Sequence, residues 1–101
     1  MSGSATTAAA LTEDLATKIR ALGDGLGVRN IRIFGSFARR DAHPDSDLDL
    51  LVDYVPGYGG FAFIELCQGV EELVGRKVDV VTEKSLNPII RDRILAQAVP
   101  L

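Results

Sequence analysis

The chain has 101 residues, 47% hydrophobic and 25% charged, a balance that belongs to a folded chain and excludes a disordered one. That length holds one small domain, and its limited core leaves an oligomer or a partner protein open. A formal charge of -3 argues against a sequence-independent grip on nucleic acid, which needs a basic footprint over the phosphates. Cys67 is the single cysteine, so no intrachain disulfide forms. Residues 1–10 carry neither the basic nor the apolar region of a signal peptide, and no apolar run approaches the ~18 residues of a membrane span. The expectation is a cytoplasmic chain with a flexible tail over 1–10 and one domain over 11–101.

Thr12 opens a helical pattern, with Glu13 and Asp14 in the first turn where the helix dipole favours negative charge. Leu11, Leu15, Ile19 and Leu22 recur at helical spacing, and Gly23, Gly25 and Gly27 end the run. Arg29 to Phe34 alternates as a strand, with Ile31 and Ile33 on one face and Arg32 and Phe34 on the other. Gly35 breaks it, and Phe37 to Arg40 reads as a short helical turn. A loop through His43 and Pro44 leads to a second strand, Asp47 to Asp53, and Tyr54 to Gly60 is a Gly/Pro loop.

Phe61 to Val74 forms the next helix, with Phe63, Leu66, Cys67, Val70 and Val74 on its apolar face and Gln68, Glu71 and Glu72 outside it. Gly75 ends that helix, and Lys77 to Thr82 is a third strand. Asn87 suits an N-cap with Pro88 at the first helical position, opening a last helix to about Ala98. This alternation predicts an α/β (α+β) fold, a small mixed β-sheet flanked by helices.

Asp47 and Asp49 lie two apart on the second strand, so both face the same way, their Cα atoms separated by roughly 6.6 Å. Two facing carboxylates repel each other, and a divalent cation removes the conflict. Two ordinary surface aspartates on a wet edge strand are the plain alternative. Aspartate is nevertheless a poor strand residue, a local inconsistency of the kind found at functional sites.

Phe34-Gly35-Ser36-Phe37 runs from a strand through a glycine into a helical turn, where exposed N–H groups and the Ser36 hydroxyl can receive a phosphate and Arg39 can clamp it. The plain alternative is a glycine turn capped by Ser36. Asp79 stands in the otherwise apolar Lys77-Val78-Asp79-Val80-Val81, where a charge needs a metal or a salt bridge to Lys77 or Arg76. Three aspartates beside a triphosphate need cations, which is the logic of two-metal in-line displacement.

Gly35-Ser36, ten intervening residues, Asp47-x-Asp49 with Ser46 before it, and Asp79 in its apolar strand together resemble the signature of the DNA polymerase β-like nucleotidyltransferases. The small size resembles their minimal (MNT) branch, and the similarity runs from about Leu11 to Ala98. The resemblance implies the nucleotidyltransferase fold, ATP as donor and Mg2+ as cofactor. Gly35 and Ser36 would hold the triphosphate. Asp47 and Asp49 would ligate the metal, and Asp79 would assist the attacking hydroxyl through the metal or as general base. Many MNT proteins are antitoxins beside a HEPN-domain ribonuclease toxin, and some transfer AMP to a toxin tyrosine, which implies such a partner here. Arg40 departs from the glycine that members often carry after the Arg39 position.

Other residues have plainer readings. His43 is a solvated loop histidine, Cys67 a core residue and Asp53 a solvated strand-end residue, while Tyr54 and Tyr58 border the base or contact a partner. Two further functions compete with protein adenylylation. One is an antitoxin acting by contact through apolar residues such as Ile89 and Ile90, with the nucleotide site idle. The other is transfer to a small molecule or an RNA end.

Overall fold

Thr12 does what its position predicts: its hydroxyl accepts the Leu15 N–H at 3.1 Å and caps helix α1, Glu13–Gly25. The structure is a computed structural model that describes residues 12–41, 43, 45–55, 57 and 61–101, so the tail expected over 1–10, as well as Leu11, Pro44 and Tyr58, lies outside the described residues. After α1 come β1 (Val28–Phe34), the single turn α2 (Ser36–Arg39), β2 (Leu48–Tyr54), α3 (Phe61–Val74) and β3 (Val78–Val81). A 3-10 turn (Glu83–Ser85), α4 (Pro88–Gln97) and the two-residue β4 (Val99–Pro100) complete it. Asn87 caps α4 by accepting the Ile90 N–H at 3.0 Å, with Pro88 at the first position as expected.

The four strands form one mixed sheet in the order β3-β2-β1-β4. β1 runs antiparallel to both β2 and β4, whereas β2 and β3 are parallel, joined by the α3 crossover. The β1–β2 register pairs Ile33 with Leu50 and Phe34 with Asp49, so the isoleucine side of β1 and the leucine side of β2 share a face. That face carries α1 and α3. Ile19, Leu48, Leu50, Val52, Leu66 and Val70 are fully buried there, each worth about 1.5–3 kcal/mol relative to exposure.

Several boundaries move by a residue. β2 begins at Leu48 and not at Asp47, because the first ladder bond on that side is Leu48 N–H to the Lys77 carbonyl, 2.9 Å. β3 is Val78–Val81, shorter than the 77–82 expected. Glu71 was expected outside the apolar face of α3, yet it is half-buried and accepts the Val78 N–H at 3.2 Å, tying helix to strand. Cys67 packs against the core, its thiol donates to the Val78 carbonyl, and burial pushes that thiol up. Among the described residues no helix is long and apolar enough to cross a membrane.

Candidate active site

The register gathers the singled-out residues at one end of the sheet. β1 ends at Phe34, opposite Asp49 near the start of β2, so the Gly35-Ser36 turn rises beside Asp49. Asp49 in turn pairs in parallel register with Asp79. Asp47 lies just before β2, exposed, and still adds its negative charge to the field at Asp49. Gly35, Ser36, Asp47, Asp49 and Asp79 are therefore one group, assembled from three strand ends.

Gly35 joins the two motifs physically. Its backbone, at φ 73 and ψ -148, occupies a region that essentially only glycine adopts. A Cβ built there would collide with Asp49 Oδ2 and lie 3.3 Å from its Cγ, so the carboxylate sits directly over the bare Cα. Arg39 N–H donates to the Gly35 carbonyl (3.0 Å), and Asp41 N–H to the Ser36 carbonyl (3.0 Å), which closes the turn. Because α2 is a single turn, its dipole adds little, and the groups there that could donate to a phosphate are the Ser36 hydroxyl and the turn's N–H groups other than that of Gly35. Arg40, where the family pattern often has glycine, takes a left-handed conformation at φ 63 and ends this helix. Its N–H donates to the Phe37 carbonyl.

Burial first, then the charges of Asp79 and Asp47, push the Asp49 carboxyl above its ordinary value, and Arg39 offsets part of that rise. The ionised form of Asp49 therefore costs the nucleotide-free fold. Its folded-state value lies above the unfolded one, so stability is fullest below the unfolded value and falls as pH rises through the folded one. Asp49→Asn is expected to melt higher than the wild type at neutral pH without nucleotide or metal. The gap should close as the pH drops into the carboxylate range, which thermal melts across pH will check.

Asp79 is exposed and makes no ion pair among the described residues, so neither Lys77 nor Arg76 neutralises it. Arg76 is engaged elsewhere. Its guanidinium lies 4.8 Å from the Phe37 ring centroid and donates to the carbonyls of His43 (3.2 Å) and Ser46 (2.9 Å). It thereby ties the loop before Asp47 to the turn after Gly35. The Ser46 hydroxyl also accepts the His43 N–H at 2.9 Å. Arg39 is half-exposed and bonds Asp41 at 3.2 Å, so it reaches the site through its charge at Asp49.

All three acids offer hard oxygen donors, the type that suits magnesium. Among the described residues no three His, Cys, Asp or Glu side chains already converge on one metal-sized point. Magnesium does not demand that, since one or two carboxylates with phosphate oxygens and water suffice. The raised carboxyl of Asp49, crowded by two other acids, is what such a cation would relieve.

Two expectations change here. Tyr54 does not border this site: it lies five residues from Asp49, roughly 16 Å along β2 and on the other face, and its ring packs edge-on against Phe63 at 5.1 Å. Asp53 is not simply solvated but accepts from Arg32 (3.2 Å) and Asn30 (3.0 Å), with Arg32 also reaching Glu83. His43 is exposed, as expected. Two contacts at the site had no signal in the sequence: the Arg76 bracket, and the Gly35 N–H donating to Gln97 Oε1 at 2.8 Å.

A model of the nucleotidyltransferase domain matches residues 13–100. The chain belongs to that family. Protein adenylyltransferase MntA of Thermococcus cleftensis is 41% identical over 78 residues, 77% of this chain and 79% of that one. A structure described as a minimal nucleotidyltransferase is similar with a TM-score of 0.78 at 38% identity, over 85% of this chain and 88% of that one. A mutant MntA–HpeT toxin–antitoxin crystal structure is similar at 0.70 and 26% identity, over 90% and 72%. The mixed sheet with flanking helices is thus the nucleotidyltransferase fold, and this enzyme is a nucleotidyltransferase of the MNT type.

Proposed function

We propose that this nucleotidyltransferase transfers AMP from ATP to a hydroxyl of a partner protein, with magnesium, and acts as the antitoxin of a HEPN-domain ribonuclease toxin. The observation that carries the chemistry is the Asp49 carboxylate lying over the bare Cα of Gly35, with Asp79 in register beside it. On this reading the Ser36 hydroxyl and the acids would meet one substrate. A protein acceptor is supported by the adenylyltransferase relative at 41% identity, and a toxin partner by the toxin–antitoxin structure at 26%.

In this reading the acceptor oxygen attacks the α-phosphorus in line, the bond to the bridging oxygen of the β-phosphate breaks, and pyrophosphate leaves. Ser36 donates to the phosphates, and Arg39 adds positive charge facing Asp49. Asp79, exposed and without an ion-pair partner among the described residues, would assist the attacking hydroxyl, through the metal or as the base that takes its proton. Asp47, Asp49 and Asp79 are the residues that would hold magnesium beside the phosphates, and the ion would supply the positive charge that offsets the acids and the leaving group.

Neutralisation by contact alone is favoured by one specific observation. Ile89 is 72% exposed and Ile90 45%, an apolar pair at the start of α4 suited to a protein surface. The two readings separate in cells that express the toxin. The Asp47→Ala/Asp49→Ala double variant is expected to lose protection while still co-purifying with the toxin. Full protection by that variant would leave the nucleotide site idle and overturn the adenylylation reading.

A further inference from the structure

The Gly35 N–H belongs to the turn that presents Ser36, and it is spent on a side chain 62 residues away, the Gln97 carbonyl at 2.8 Å in a partly buried bond. Gln97 is the last residue of α4, and its backbone is held on both sides. Ala98 N–H donates to the Ile94 carbonyl at 2.8 Å, and the chain then enters β4, where Val99 pairs with Ile33 and Pro100 with Arg32. Leu101 N–H donates to the Ile31 carbonyl at 3.0 Å. The strand that leads into Gly35 is therefore the strand that anchors the residue reaching back to it. α4 on one side and β4 on the other thereby hold the Gln97 backbone within reach of the turn.

Glycine takes φ 73 and ψ -148 without strain, but it takes many other conformations as readily, so a contact is needed to hold the turn in this one. Gln97 supplies such a contact, and its amide accepts the bond without adding charge. A carboxylate in its place would bring another negative group toward three acids and a triphosphate.

We propose that Gln97 is a positioning residue for the nucleotide: by holding the Gly35 N–H it fixes the turn that offers Ser36 to the phosphates beside Asp49. It touches no reacting atom. The inference rests on nucleotidyl transfer alone, and the identity of the acceptor does not enter it.

The test uses Gln97→Met, similar in length but lacking the acceptor, with Gln97→Ala as a second variant, and measures ATP binding with magnesium by calorimetry in the absence of any acceptor. Loss of one partly buried hydrogen bond is expected to weaken ATP binding about tenfold. In turnover assays KM for ATP should rise by more than kcat falls. Amide hydrogen exchange should quicken at Gly35 while that of Ile33, on the same strand, stays near wild type; this local signature separates a lost contact from general unfolding. Unchanged ATP affinity with the faster Gly35 exchange would overturn the proposal. So would tighter binding, which would mean that Gln97 occupies an N–H that the phosphate itself takes.

Discussion

Asp49→Ala is expected to lower nucleotidyl transfer by at least about 10³-fold, with the fold intact. Asp49 stands at the junction of every element of the site. Its carboxylate covers the Gly35 Cα, its neighbour in register is Asp79, and the charges of Asp47, Asp79 and Arg39 all act on it. On the proposed reading, removing it would take away one of the carboxylates that hold magnesium beside the phosphates. About 10³-fold corresponds to roughly 4 kcal/mol of transition-state stabilisation, a scale that one oriented charge in an active site reaches. The same truncation relieves repulsion in the nucleotide-free state, so activity and thermal stability should move in opposite directions. Initial rates paired with melts of the same preparation will show it. A variant that loses activity together with a lower melting temperature would mean that Asp49 chiefly holds the fold.

Gly35→Ala should be nearly as damaging, and through a different cause. The backbone region it occupies costs an alanine about 1–3 kcal/mol, and the added methyl meets Asp49 Oδ2. For a domain of this size a loss of about 2 kcal/mol lowers the melting temperature by roughly 10 °C. The surviving fold must also rotate the Asp49 carboxylate or shift the turn, so ATP binding should weaken well beyond what the melting temperature reports. Gly25→Ala is the control. Gly25 closes α1, a Cβ there meets nothing within 4 Å, and alanine favours helix by about 0.5–1 kcal/mol. That variant should melt at or above wild type and bind ATP unchanged.

Local chemistry was legible. Thr12 and Asn87 cap their helices because a cap is a contact within three residues, which sequence spacing records. The acids were legible for a similar reason: strand parity and a polar residue in an apolar run are local facts. Their gathering at one sheet end depended on strand neighbours, and the family resemblance pointed there before the register did. What escaped is long-range. Gln97 looks like any polar residue in the last turn of a helix, and only the pairing of Val99 with Ile33 brings it to Gly35. β4 is two residues long with a proline, and it is a strand only because the edge of β1 was open to it. Arg76 gave no sign because its donors go to main-chain carbonyls, which carry no residue identity. Tyr54 is a different case: counting five residues from Asp49 along β2 places it on the far face, away from the site.

The most direct measurement of the central claim follows the label. The enzyme, magnesium and a HEPN-domain partner are incubated with ATP labelled either at the α- or at the γ-phosphate, and the partner is then isolated and its mass determined. AMP transfer predicts label on the partner from the α-position alone, a mass increase of whole AMP units on a hydroxyl side chain, and loss of both with Asp47→Ala or Asp49→Ala. Label arriving from the γ-position, or an unmodified partner whose toxicity is nevertheless neutralised, would contradict it.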